Sequence, residues 1–146
     1  MNNTRMYPEP VVGLYIICGN EIAVVKSPKW KGWRVPGGHV DYGEDILHAA
    51  SREAKEELGI DVVPLGMLKI AQSIKPADLN GETRHFIFFE ILCQAKSKEV
   101  TIDNREITEC RWVPLHEAEK FFESEISKKV IMEYNAKEKP EFIEIL

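Results

Sequence analysis

"GHVDYGEDILHAASREAKEELGI", residues Gly38 to Ile60, places a helical pattern directly behind a glycine turn, and its reading decides the rest of the chain. Leu47, Ala50, Ala54 and Leu58 recur at spacings of three and four, which predicts an amphipathic helix from about Glu44 to Leu58. Glu44 and Asp45 are expected in its first turn, and Gly59 is placed as the left-handed residue that ends it. Glu53, Glu56 and Glu57 share one face at i, i+3 and i+4. Like charges at those spacings destabilise a helix by roughly 0.2–0.5 kcal/mol per pair. They also stand at the C-terminal end, where the helix dipole favours cations. At about 100° per residue the glutamate face lies roughly a third of a turn from the apolar stripe, so it is expected to look outward or into a cleft. Such a face works against its own helix unless something positive sits over it.

Working outward, Pro36-Gly37-Gly38 is strong turn punctuation ahead of the helix, with a short strand expected near Trp33 to Val35. Further upstream, "VVGLYIIC" and "EIAVVKS" flank Gly19-Asn20 and read as a β-hairpin. Downstream, "DVVPLGMLKIAQSI" reads as a strand interrupted by Pro64 and Gly66, and "ETRHFIFFEILCQA" as a central strand apolar on both faces. "ECRWVP" gives a last strand, "LHEAEKFF" one helix, and "SKKVIMEYNAKE" another stopped by Pro140. Strands with helices at the middle and the end predict an α/β or α+β sandwich, and 146 residues fit one domain, 1–146.

Composition narrows the function class. A net charge of −5 argues against loose binding to nucleic acid or to an anionic membrane, though it leaves room for a local basic pocket. No run of 18 apolar residues is present, and "MNNTRMYPEP" lacks the apolar segment of a signal peptide, so a cytoplasmic protein is expected. Cys18, Cys93 and Cys110 lie in or beside apolar runs without C-x-x-C spacing and read as reduced buried thiols.

The spacing of the opening stretch carries a more specific signal. It runs Gly38, five residues, Glu44, seven residues, Arg52-Glu53, two residues, Glu56-Glu57, one residue, Gly59 and an aliphatic Ile60. With each residue type near one in fifteen, chance gives on the order of 10⁻⁸ per starting point. The stretch resembles the Nudix box, the signature of the Nudix (MutT-like) hydrolases, and "WRVPGG" and "ECRWVPLHEAEKF" are also similar to that family.

The resemblance implies an α/β/α sandwich with a mixed sheet between helices. It implies Mg²⁺ or Mn²⁺ as cofactor, since hard cations take carboxylate oxygens. Carried over residue by residue, Glu53, Glu56 and Glu57 are the expected metal ligands, with the carbonyl of Gly37 beside them. Gly38 allows close backbone approach, Arg52 orients the glutamates, and Glu44 supports Arg52 or a metal-bound water. A further ligand is expected six residues before Trp112, at Glu106, with Glu109 in reserve. Glu53, Glu56, Glu57 and Glu106 share the general-base role.

The implied reaction is hydrolysis of a nucleoside diphosphate linked to another group. The substrate favoured is a (deoxy)nucleoside triphosphate, normal or oxidised, cleaved to a monophosphate and pyrophosphate. ADP-ribose or another nucleotide sugar is the alternative, through Pro76, 16 residues after the box. A binding module on the same fold is the rival from another class. Arg34 is the cation best placed for phosphate, ahead of Lys29 and Lys31, and Trp30 is a candidate for stacking on a base. Trp33, Phe86, Phe88 and Phe89 read as packing residues, His85 as a core histidine and His39 as solvent-facing. The apolar ending "EFIEIL" allows a homodimer.

Overall fold

The computed structural model describes residues 7–75 and 83–136. Pro76, the "EFIEIL" ending and Pro140 lie outside the described residues. Strands β1 (Glu9–Cys18), β2 (Glu21–Lys26), β3 (Gly37–His39), β4 (Val62–Lys75), β5 (Arg84–Ala95) and β6 (Glu109–Pro114) form one mixed sheet in the order β4-β5-β1-β2-β6. The expected hairpin forms around Gly19-Asn20, with Cys18 paired to Glu21. β1 runs parallel to β5 from Glu9–Phe86 to Ile17–Gln94 and antiparallel to the other neighbours it meets.

The alternation of β1 builds two cores. Val12, Leu14 and Ile16 point to one face, where helix α1 (Ile46–Leu58) lays down Ala50, Ala54 and Leu58. Tyr15 and Ile17 point to the other, where helix α2 (Glu125–Asn135) brings Val130 and Ile131. The result is the expected sheet between helices. β1 meets β2 only at its last residues, because the segment around Arg34 to Pro36 passes between them. Arg34 exchanges backbone bonds with Val25, and Leu14 N–H donates to the Pro36 carbonyl at 2.8 Å. That split leaves room on the α2 face for a cleft.

Several elements differ from the expectation. Pro64 and Gly66 do not interrupt β4; they mark a shift of register in a strand of 14 residues. Among the described residues β4 pairs on one side only, so a proline without an N–H fits there. Leu115–Lys120 is a 3₁₀ helix rather than an α-helix. Helix α1 starts later than Glu44. Asp45 is its N-cap, accepting the His48 N–H at 2.8 Å, and the first turn carries no acid. Gly59 ends the helix in the left-handed region at φ 65°, as expected. The three cysteines are free thiols; burial pushes Cys93 up to about 12 and Cys110 to about 11. No helix among the described residues is long and apolar enough to cross a membrane.

Candidate active site

The glutamate face does not look uniformly outward. Glu53 and Glu57 are buried, 8% and 5% exposed, while the side chain of Glu56 is 60% exposed. Helix geometry alone places the face away from the stripe, but β3 crosses over its inner edge. A Cβ built on Gly38 would stand 2.3 Å from Glu53 Oε1, and one on Gly37 would stand 2.1 Å from the Val12 carbonyl oxygen. Glycine at both positions is therefore a matter of space. The Gly37 N–H donates to Glu57 Oε2 at 3.2 Å.

Arg52 organises the outer half of the face. Its Nε and Nη2 donate to the two oxygens of Glu44 at 2.7 and 2.9 Å. Its Nη1 reaches Glu53 Oε1 at 3.0 Å and Glu56 Oε2 at 3.1 Å, and Nη2 also donates to the His39 carbonyl at 2.9 Å. Glu44 also accepts the Asp41 N–H and meets His48 Nδ1. The Arg52 guanidinium, with these smaller contacts, holds the Glu44 carboxyl down at about 2.

Glu53 and Glu57 are shifted the other way. Burial, reinforced by the charges of Glu56 and Glu106, outweighs Arg52 and raises Glu53 to about 7. Burial again, then the charges of Glu53, Glu106 and Asp103, raises Glu57 to about 8 against the pull of the Gly37 N–H. Glu106, predicted from its offset to Trp112, thus stands close enough to act on both carboxyls, and its own contact is Lys29 at 3.7 Å. Glu109 pairs instead with Arg111 at 3.9 Å and does not figure among the charges raising Glu53 or Glu57. Asp103 was not singled out from the sequence. It caps the turn before Glu106 by accepting the N–H groups of Arg105 and Ile107 at 3.0 and 3.2 Å. An aspartate two residues before an amide that needs a partner is a turn signal, and it was open to reading.

In this arrangement the carboxylate oxygens are turned toward Arg52 and Gly37, and among the described residues no three His, Cys, Asp or Glu side chains converge on one metal position. The donor set nevertheless fits a hard divalent cation. It is all oxygen. Its two buried carboxyls are raised by burial and by neighbouring carboxylates, Glu53 in spite of Arg52, and a bound cation would favour their charged forms.

Gly37 and Gly38 also border a cleft of about 390 Å³ on the α2 face of the sheet. Trp30, Arg34, Phe86, Phe88 and Glu90 line it. Phe86 and Phe88, read as core, instead stack on each other at 5.8 Å along this wall, while Phe89 packs into the α1-side core. The Arg34 guanidinium lies 5.0 Å from the centre of the Trp30 ring and covers that face. Trp33 packs edge-on against Phe121. His85 is not in the core; it is half-buried and meets the Gln72 side chain at 3.1 Å. His39 is half exposed, with Nε2 2.9 Å from Glu9, which Arg84 grips with two bonds of 2.7 Å.

Comparison with known proteins gives the same picture. The NUDIX domain model matches residues 8–134. Nudix hydrolase 7 of Arabidopsis thaliana is 34% identical over 85 residues, 58% of this chain and 29% of that protein. Phosphatase NudJ of Escherichia coli is 32% identical over 87 residues, 58% of this chain and 53% of that protein. The chain thus spans little more than half the length of the one relative and under a third of the other. A Nudix hydrolase structure from Nitrosomonas europaea superposes with a TM-score of 0.76 at 21% identity, over 96% of this chain and 98% of that one, which shows a shared fold. With its box intact and the matched domain covering most of its length, this chain belongs to the Nudix family.

Proposed function

We propose that the protein is a metal-dependent hydrolase of nucleoside diphosphates linked to another group, acting on a (deoxy)nucleoside triphosphate to give a monophosphate and pyrophosphate. The observation that carries this reading is the pair Glu53 and Glu57: two buried carboxyls, raised to about 7 and 8, beside a glycine edge that opens into a cleft. Glu53, Glu56, Glu57, Glu106 and the Gly37 carbonyl would hold Mg²⁺ or Mn²⁺. The metal, when bound, neutralises phosphate charge and makes water a better nucleophile.

The chain's own residues do the rest. Arg52 fixes the rotamers of Glu53 and Glu56 and is itself fixed by Glu44, so the outer carboxylates are oriented before substrate arrives. Gly37 and Gly38 bring backbone within reach of the phosphates without a side chain between. A carboxylate of this face takes the proton of the attacking water, and groups that titrate near neutrality are suited to that. Arg34 at the cleft edge offers a cation to the phosphate chain. The relatives' names, a Nudix hydrolase and a phosphatase, support the hydrolase class.

A phosphate-release screen at about pH 8.5 with Mg²⁺ or Mn²⁺ tests the reading. It covers the common nucleoside triphosphates, 8-oxo-dGTP, ADP-ribose and nucleotide sugars. Pyrophosphate from a triphosphate is the expected result. Turnover of ADP-ribose alone replaces the substrate, and a folded, metal-binding protein silent on every compound replaces the enzyme with a binding module.

A further inference from the structure

Two buried polar atoms of residues lining the cleft have no hydrogen-bond partner among the described residues, one an acceptor and the other a donor. Glu90, on β5, is 4% exposed, and its Oε2 accepts no hydrogen bond from the described residues. The indole N–H of Trp30 is buried and donates to none of the described residues. Both residues line the cleft, as do Gly37 and Gly38. Buried polar atoms are nearly always paired in folded proteins, so an open acceptor and an open donor in one cleft call for a ligand that supplies both partners.

The fold makes room for the carboxyl. Glu90 sits opposite Gly13 in the parallel β1–β5 register, and a Cβ at position 13 would stand 2.3 Å from Oε2. Any side chain at 13 would force the carboxyl to shift from this position. The neighbour on the far side is the Tyr15 hydroxyl, which donates to Ser127 Oγ at 3.2 Å and also meets the Glu90 carboxyl. Burial raises that carboxyl to about 7, an uncommon environment for a group without a cation beside it. The Trp30 ring is covered by Arg34 on one face, which is therefore closed to a stacking base.

We infer that Glu90 and Trp30 form the base-reading end of the cleft, Glu90 Oε2 accepting an N–H of a nucleobase and the Trp30 indole N–H donating to a carbonyl or ring nitrogen beside it. The edges of purines and pyrimidines carry such a donor and acceptor side by side. Phe86 and Phe88 supply an apolar wall for the ring, and Gly37, on the same rung of the sheet as Gly13 and Glu90, borders the glutamate face where the phosphates would lie. This assignment rests on the nucleotide reading of the site but does not need hydrolysis.

The test therefore measures binding without turnover. The protein holds three tryptophans, so a ¹⁵N-labelled sample gives three indole N–H resonances, and Trp30→Phe identifies one of them. AMP, GMP, CMP and UMP are titrated in, with ribose 5-phosphate as the base-free probe. The Trp30 signal is expected to move with at least one monophosphate and to stay in place with ribose 5-phosphate. Glu90→Met, an apolar side chain of similar length, should weaken that binding about tenfold, the scale of one lost hydrogen-bond partner. The N-methylated form of the best base should bind the wild-type protein about tenfold more weakly as well, which serves if Glu90→Met does not fold. A Trp30 signal unmoved by every monophosphate, or an affinity indifferent to both changes, overturns the inference. Base binding without hydrolysis leaves it standing and removes the enzyme reading, and the reverse result does the opposite.

Discussion

Replacing Glu57 by glutamine should make the metal-free protein more stable while removing its activity. The Glu57 carboxyl stands at about 8 in the fold against an ordinary 4.5. A carboxyl raised by folding contributes stability that is present below 4.5 and lost as pH climbs toward 8, because the unfolded chain gives up its proton first. At about 1.4 kcal/mol per pH unit, the handicap is about 3 kcal/mol at pH 7 and vanishes near pH 4. Solvent removes little of it, since the side chain is buried. Glutamine keeps the shape and an oxygen for the Gly37 N–H, and it carries no charge. In EDTA, Glu57→Gln should therefore exceed wild type by about 3 kcal/mol at pH 7 and match it at pH 4. With a urea slope of about 1–3 kcal/mol/M, the midpoint moves by one molar or more, well within reach of a fluorescence melt. Millimolar Mg²⁺ should then narrow or reverse the order, because wild type gains by mass action and the variant loses a ligand. Coincident melts at pH 7, or an equal gain at pH 4 and pH 7, would refute the charge argument.

Three further outcomes follow from the same geometry. Arg52→Lys leaves one compact cation where a fork now serves Glu44, Glu53, Glu56 and the His39 carbonyl, so turnover should drop roughly 10- to 100-fold with the melting temperature little changed. Steady-state kinetics beside a thermal melt checks this. Gly38→Ala forces Glu53 aside, since the new methyl would overlap Oε1; activity titrated with Mg²⁺ should need far more metal, at a stability cost of about 1–3 kcal/mol. Gly59→Ala, at φ 65° and far along the helix end, should cost about 1 kcal/mol in urea melts and leave the rate constants unchanged.

Much of this was legible because it is local. The Leu47–Ala50–Ala54–Leu58 stripe, the Gly19-Asn20 hairpin and the Gly59 cap each depend on residues within a few positions of one another. Burial of Glu53 and Glu57 was not legible, because it depends on β3 crossing the helix, and a helical wheel knows nothing of its neighbour. The start of α1 was misplaced by two residues because an aspartate serves equally in a first turn or as the N-cap before it. Glu90 was passed over for a similar reason. In "RHFIFFEILCQA" it is one acid in an apolar run, and only the β1–β5 register puts it across from Gly13 and next to Tyr15. Phe86 and Phe88 carry the same lesson, since an apolar residue on a strand does not say whether its face meets a helix or a cleft.

The measurement closest to the central claim is metal-dependent turnover of the best substrate from the screen, with products identified by ³¹P NMR, for wild type and Glu57→Gln. The account predicts cleavage between phosphates in Mg²⁺, none in EDTA, recovery on adding Mg²⁺ back, and a loss of roughly 10²- to 10⁴-fold in the variant. Equal turnover in EDTA, or a folded Glu57→Gln protein that works at the wild-type rate, would contradict it.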